Sequence, residues 1–196
     1  MADPPPLPPP PDAAVLHQAA LTYLARYAAT EAGLLRVLQR RIERWVHQSQ
    51  DAGAGRDAVA TEAAVATEAA RAVVAQLAAA GAISDTAFAQ GRVRSLMRAG
   101  RSRRAIGAHL AAKGVGAETQ RQALPDAASA DELAAALVLA RRRRIGPFRS
   151  GEPPDAAGHR RELAILARAG FPQDIARQAL AFDPAEAEDR VIQLRR

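Results

Sequence analysis

Arginine is the residue type whose number and spacing point most clearly to chemistry in this sequence of 196 residues. It supplies 26 of the 27 basic side chains, Lys113 being the other, and the formal net charge at pH 7 is +6. Guanidinium groups form paired hydrogen bonds with carboxylates and phosphates alike. The composition therefore favours an acidic partner, either a protein surface or a nucleic acid backbone.

The candidate binding residues form a stripe, a run and a pair. Arg94, Arg98 and Arg101 fall on one face of a predicted helix, and Arg103 and Arg104 extend that stripe into the next helix. A solvated helix face is the alternative interpretation of the stripe. Four consecutive arginines at 141–144 end a helix, where cations offset the negative end of the helix dipole. We predict that the binding set is Arg94, Arg98, Arg101, Arg103, Arg104, Arg141, Arg142, Arg143, Arg160 and Arg161.

The sequence does not indicate a catalytic site or a metal site. The chain contains no cysteine, which excludes disulfides, zinc-thiolate sites and a cysteine nucleophile. The histidines are at positions 17, 47, 109 and 159 and lack the spacing of metal ligands. No glycine-rich phosphate loop is present, and no carboxylate is assigned as a general acid or base. We therefore predict a binding protein with no catalytic residue, metal or cofactor.

The elements that position the arginines are predicted to be helices. The chain contains 50 alanines and only 4% aromatic residues, which favours an all-α fold. Glycines at positions 81, 100, 114, 146 and 170 end helix-compatible runs. Apolar residues recur at helical spacing and give eight to ten short helices, with no convincing strand. Without a long apolar run we expect no membrane span and a cytoplasmic protein.

Two segments resemble each other and indicate an internal repeat. Residues 102–124 align with 158–180 without a gap, matching at nine positions that include Gly114 and Gly170. We predict three-helix repeats at 13–81, 83–125 and 129–181 and a final helix at 184–196. The first repeat carries an inserted loop at 47–68, with continuation of its second half into the following helix as the alternative. The third repeat carries a loop at 146–158 anchored by Phe148, and residues 1–12 form a disordered proline-rich tail. Such units must stack to bury apolar surface, so we expect an elongated, curved monomer.

The order of four segments resembles the RecX family of bacterial recombination regulators. They are Ala19–Arg26 followed by Thr30–Leu34; Leu77–Asp85 with Phe88 and Ala89; Arg98–Ser102 with Ile106, Leu110 and Lys113–Val115; and Leu166–Phe171 with Ile175, Ala179 and Leu180. Together these segments span about 13–181, most of the predicted folded part.

This resemblance implies a non-enzymatic function. RecX-like proteins are built of three-helix repeats, bind the RecA recombinase and lie in the groove of its filament on DNA. They limit strand exchange, ATP hydrolysis and co-protease activity, and so act in DNA repair and the SOS response. Contact with DNA would be non-specific and would go through phosphates. The alternative is a helical DNA-binding protein that acts independently of RecA.

Overall fold

The fold is all-α. A computed structural model describes residues 9–124 and 129–195, and within these ranges it contains ten α-helices and no strand. The helices are α1 (Ala13–Leu24), α2 (Glu31–Asp51), α3 (Arg56–Ala79), α4 (Asp85–Arg98), α5 (Arg103–Ala112), α6 (Ala117–Ala123), α7 (Ser129–Arg143), α8 (Ala156–Arg168), α9 (Gln173–Leu180) and α10 (Pro184–Arg195). The predicted fold class is therefore confirmed, whereas most of the predicted tail, residues 1–8, lies outside the described residues.

The chain forms two compact units, Met1–Phe88 and Ala89–Arg196. The predicted third repeat lies in the second unit, together with the predicted second repeat from residue 89 onward, whereas residues 83–88 fall in the first unit. Residue 125, the end of the predicted second repeat, and residues 126–128 between the second and third repeats lie outside the described residues. The exact repeat boundaries stay a prediction.

The first unit packs α1 and α3 on the apolar face of α2. Leu34, Leu38 and Ile42, spaced four residues apart on α2, are buried against Leu16 of α1 and Val73 of α3. Thr30 caps α2, because its hydroxyl oxygen accepts a hydrogen bond from the Gly33 amide at 2.9 Å. The arginines of α2 lie on the opposite face, which is exposed.

The prediction of a loop over all of 47–68 is wrong, whereas the alternative, that its second half continues into the following helix, agrees with the structure. Helix α2 continues to Asp51 and α3 begins at Arg56, so only residues 52–55 connect them. The segment contains few large apolar residues, but Val59 and Ala66 are buried on α3. Alanine is the strongest helix former and lets two helices approach closely, so this pair packs without large side chains.

The second unit is organised around α7. Every residue from 132 to 140 is buried, and α8, α9 and α10 all pack against this helix. The start of the predicted 146–158 loop is anchored to the same core. Phe148 packs on it, and the Arg149 guanidinium donates to the Glu162 carboxylate at 2.6 and 3.1 Å.

Two helix starts are capped by carboxylates from helices that come later in the chain. Asp85, the first residue of α4, accepts a hydrogen bond from the Glu31 amide at 2.9 Å, which is the first amide of α2. Glu132, in the first turn of α7, accepts one from the Arg103 amide at 3.1 Å, the first amide of α5. Each carboxylate satisfies a donor that the helix itself leaves unpaired and complements the helix dipole.

The cap at Glu132 links two helices. Ser129–Glu132 fits a capping box, in which Glu132 would close the start of its own helix. In the structure the Glu132 carboxylate accepts a hydrogen bond from the start of α5. Ser102, fully buried at that start, accepts from the Ala105 amide at 3.2 Å and donates to the Ala169 carbonyl at 2.7 Å. Helix α5 is thereby fixed to both α7 and the end of α8.

Candidate functional site

The predicted arginine stripe on α4 is shorter than expected. Arg94 and Arg98 lie one turn apart and are exposed, while Val93 and Met97 are buried on the adjoining face of the helix. Arg101 is not part of the helix. Helix α4 ends at Arg98, and the left-handed Gly100 turns the chain away from the helix axis.

Helix α10 adds a cation to the α4 pair. Arg190 lines a cleft of about 330 Å³ together with Arg94 and Arg98, and Val93 and Met97 also line it. The burial pattern of α10 explains why Arg190 is exposed. Ala187 and Val191 are buried, so Arg190 lies on the outward side of the helix. Arg190 is not among the predicted binding residues.

The charge balance of this cleft is positive. Among the described residues that line it, Asp131 is the one carboxylate, against the guanidinium groups of Arg94, Arg98 and Arg190. All three arginines are exposed, and within the described residues none of them forms an ion pair. An external carboxylate or phosphate could therefore bind without displacing an internal partner. We call this set the arginine cleft.

Arg103 is held inside the protein. Its side chain is only 17% exposed, its Nη2 donates to the Leu124 carbonyl at 2.7 Å, and its Nε lies 3.9 Å from the Glu132 carboxylate. Its neighbour Arg104 is exposed and lines a separate depression with Gly170 and Phe171. The two consecutive arginines therefore have different roles in the structure.

The arginine run at 141–144 ends α7, as its position suggested. Arg141 pairs with Glu188 at 3.0 Å, and the Arg142 guanidinium donates to the Ala99 carbonyl at 3.1 Å. Arg143 is exposed in the last turn, and Arg144 adopts a left-handed conformation with φ of 54°. Two of these side chains thus stabilise the fold, and Arg143 is the one most available to a partner.

The last predicted pair lies on α8. Arg160 and Arg161 are both exposed, and the Arg161 Nε donates to the Ala157 carbonyl of its own helix at 3.3 Å. Neither residue lines the arginine cleft. The structure therefore brings Arg94 and Arg98 together with Arg190 and keeps the α8 pair apart from them.

The pKa of His109 reflects the positive charges beside the turn that contains Arg101. Burial lowers the pKa of this imidazole first, and the nearby cations Arg92, Lys113 and Arg101 lower it further. Its Nε2 is buried and has no hydrogen-bond partner among the described residues. The lowered pKa favours the neutral imidazole, and the positive charge there belongs to the surrounding residues.

Within 9–124 and 129–195, no group of three or more histidine, aspartate or glutamate side chains is placed to hold a metal ion. None of the helices in the described ranges combines the length and apolar character needed to cross a membrane.

Comparison with known proteins identifies the family. Residues 84–124 match a family model described as RecX, second three-helix domain. A protein named Regulatory protein RecX from Myxococcus xanthus strain DK1622 is 39% identical over 171 residues, which cover 87% of this chain and 86% of that protein. Another protein of that name, from Agrobacterium fabrum strain C58, is 40% identical over 108 residues, 55% of this chain and 56% of that protein. The chain belongs to the RecX family of regulatory proteins.

Proposed function

We propose that this protein binds the filament that RecA forms on DNA and reduces its strand exchange, ATP hydrolysis and co-protease activity. In this role it regulates recombination and the SOS response in the cytoplasm, acting as a monomer and by binding alone. Membership of the RecX family supports the choice of partner. The arginine cleft is the observation from which we propose particular contact residues.

The chemistry of the cleft suits the surface of such a filament. Its arginines reach outward, and guanidinium groups pair with carboxylates on protein and with phosphates on DNA. The apolar side chains of Val93 and Met97 beneath them can take up part of a partner residue. Arg101, Arg104 and Arg143 are exposed in the same compact unit and are the next candidates for contact.

A second candidate function is binding to DNA without RecA. The same unpaired arginines favour it, because a phosphate backbone meets their hydrogen-bonding needs as well as a carboxylate does. Such binding would be strong in the absence of RecA and would fall steeply with salt.

The two functions are distinguished by RecA-dependent strand exchange and ATP hydrolysis on single-stranded DNA, with this protein added below the RecA concentration. The proposal expects both rates to fall at low and at moderate salt. A gel shift on the same DNA without RecA is the parallel measurement. Unchanged RecA rates together with tight DNA binding would contradict the proposal and favour the second function.

A further inference from the structure

The first unit contains an open groove between the end of α1 and the outer face of α2. It has a volume of about 540 Å³, and its lining includes two tyrosines and three arginines. They are Tyr23, Tyr27, Arg26, Arg41 and Arg44, with Val15 at the edge. None of the predicted binding residues belongs to it, so the groove is independent of the arginine cleft.

The tyrosines present an aromatic surface at this groove. The ring centroids of Tyr23 and Tyr27 are 5.1 Å apart and their planes are inclined at 40°. Tyr27 is 56% exposed. Helical spacing suggests that both rings belong to the core and that the chain lacks a stacking platform for bases. The structure overturns this for Tyr27, because α1 ends at Leu24 and the residues beyond no longer follow its periodicity.

The arginines make the groove positive. Arg26, Arg41 and Arg44 are all exposed, and the described part of the groove lining includes no carboxylate. Within the described residues none of the three forms an ion pair. The groove is thus complementary to an anionic chain that also carries flat, apolar groups.

We propose that this groove binds single-stranded nucleic acid, with an unpaired base stacked on Tyr27 and backbone phosphates paired with Arg26, Arg41 and Arg44. Aromatic rings and cations along one groove are the combination by which proteins hold single strands without reading their sequence. A duplex keeps its base faces covered. An acidic peptide would satisfy the arginines, but its apolar anchor needs a closed pocket, and Tyr27 and Val15 are both widely exposed.

The test uses the full chain without RecA, so that its outcome does not depend on the proposed function. Fluorescence anisotropy with labelled oligo-thymidine measures the affinity between about 50 and 200 mM salt. We expect Tyr27→Ala to weaken binding roughly fivefold or more and to leave the affinity for a duplex of equal length unchanged. Tyr27→Phe keeps the ring and should bind like the unchanged protein.

The salt dependence separates the two kinds of contact. Removing one phosphate contact reduces the slope of log affinity against log salt by about 0.7 for a single strand. We therefore expect Arg41→Ala and Arg44→Ala to reduce the slope, whereas Tyr27→Ala leaves it unchanged. Val65→Ala on α3 is the matched control, because Val65 is 62% exposed and does not line the groove. Circular dichroism verifies that each variant is folded.

Three outcomes would overturn the proposal. They are no measurable binding of oligo-thymidine, an equal loss of single-strand and duplex affinity in Tyr27→Ala, or a slope that Arg41→Ala and Arg44→Ala leave unchanged. Binding of an acidic peptide in the absence of oligonucleotide binding would assign the groove to a protein partner instead.

Discussion

Replacement of Glu132 by alanine should destabilise the second unit more than any surface substitution. Glu132 is 6% exposed, and its carboxylate accepts a hydrogen bond from the first amide of α5 at 3.1 Å and lies 3.9 Å from the Arg103 Nε. Removing it leaves a helix-terminal donor and a half-buried guanidinium without this anion. The turn that carries Arg101 immediately precedes the loosened helix.

The expected cost follows from these contacts. A hydrogen bond to a charged group contributes about 1.5–3 kcal/mol. The Arg103 pair adds less, because its separation is long and its guanidinium keeps a second partner in the Leu124 carbonyl. We expect Glu132→Ala to lower the free energy of unfolding by about 2–4 kcal/mol. Glu132→Gln, which keeps an acceptor oxygen but loses the charge, should cost about half as much.

Urea unfolding followed by circular dichroism measures this effect. Trp45, the only tryptophan, lies in the first unit, so its fluorescence midpoint should move less than the dichroism midpoint. Glu118→Ala is the control, because Glu118 pairs with Arg121 at the protein surface, where ion pairs contribute about 0–1 kcal/mol. A loss for Glu132→Ala no larger than that of the control would refute the reasoning.

Three other changes test the account. Arg144→Gly should raise the free energy of unfolding by about 0.5–1 kcal/mol in thermal unfolding, because glycine adopts the left-handed φ of 54° without a steric penalty; a lower melting temperature would contradict this. Glu162→Ala should cost about 3 kcal/mol in urea unfolding, because it leaves the Arg149 charge half-buried and unpaired; retained stability would argue against that pair as the anchor of the loop. His109 has a folded-state pKa below its ordinary value near 6.5, so the unfolded state binds the proton more readily and stability should fall as the pH drops below about 7. His109→Gln should flatten that part of the stability profile, and an unaltered profile would assign the dependence to other groups.

Local signals predicted the helix ends well. Gly114 and Gly170, matched in the internal repeat, both adopt positive φ after a helix, at 85° and 90°. Asp183 accepts hydrogen bonds from the Ala185 and Glu186 amides, as the Asp–Pro pair at the start of α10 suggests. Such features depend on a few neighbouring residues and are therefore visible in sequence.

Features set by distant packing were not predictable. Glu132 has the right spacing to cap its own helix, and its carboxylate has another donor only because α5 packs beside it. Arg103 and Arg104 are chemically identical neighbours, yet contact with Glu132 and Leu124 withdraws Arg103 from the surface. Helix α3 packs through small residues, so a search for large apolar side chains assigns its first part to a loop.

The candidate site was partly predictable for the same reason. Arg94 and Arg98 share a face of one helix, and periodicity alone pairs them. Arg190 joins them from a helix almost a hundred residues later, a juxtaposition that depends on the packing of α10 against α7. Arg101 follows a glycine turn, after which the angular spacing of the helix no longer applies.

The most direct test of the central claim is ATP hydrolysis by RecA on single-stranded DNA, titrated with this protein and with the double variant Arg94→Glu/Arg98→Glu. The matched control, Arg168→Glu/Arg177→Glu, makes the same change in charge at exposed residues outside the arginine cleft. We predict that the unchanged protein and the control inhibit hydrolysis at similar concentrations, whereas the cleft variant requires at least tenfold more, a loss of about 1.4 kcal/mol in binding. Equal inhibition by all three proteins, or inhibition by none, would contradict the account.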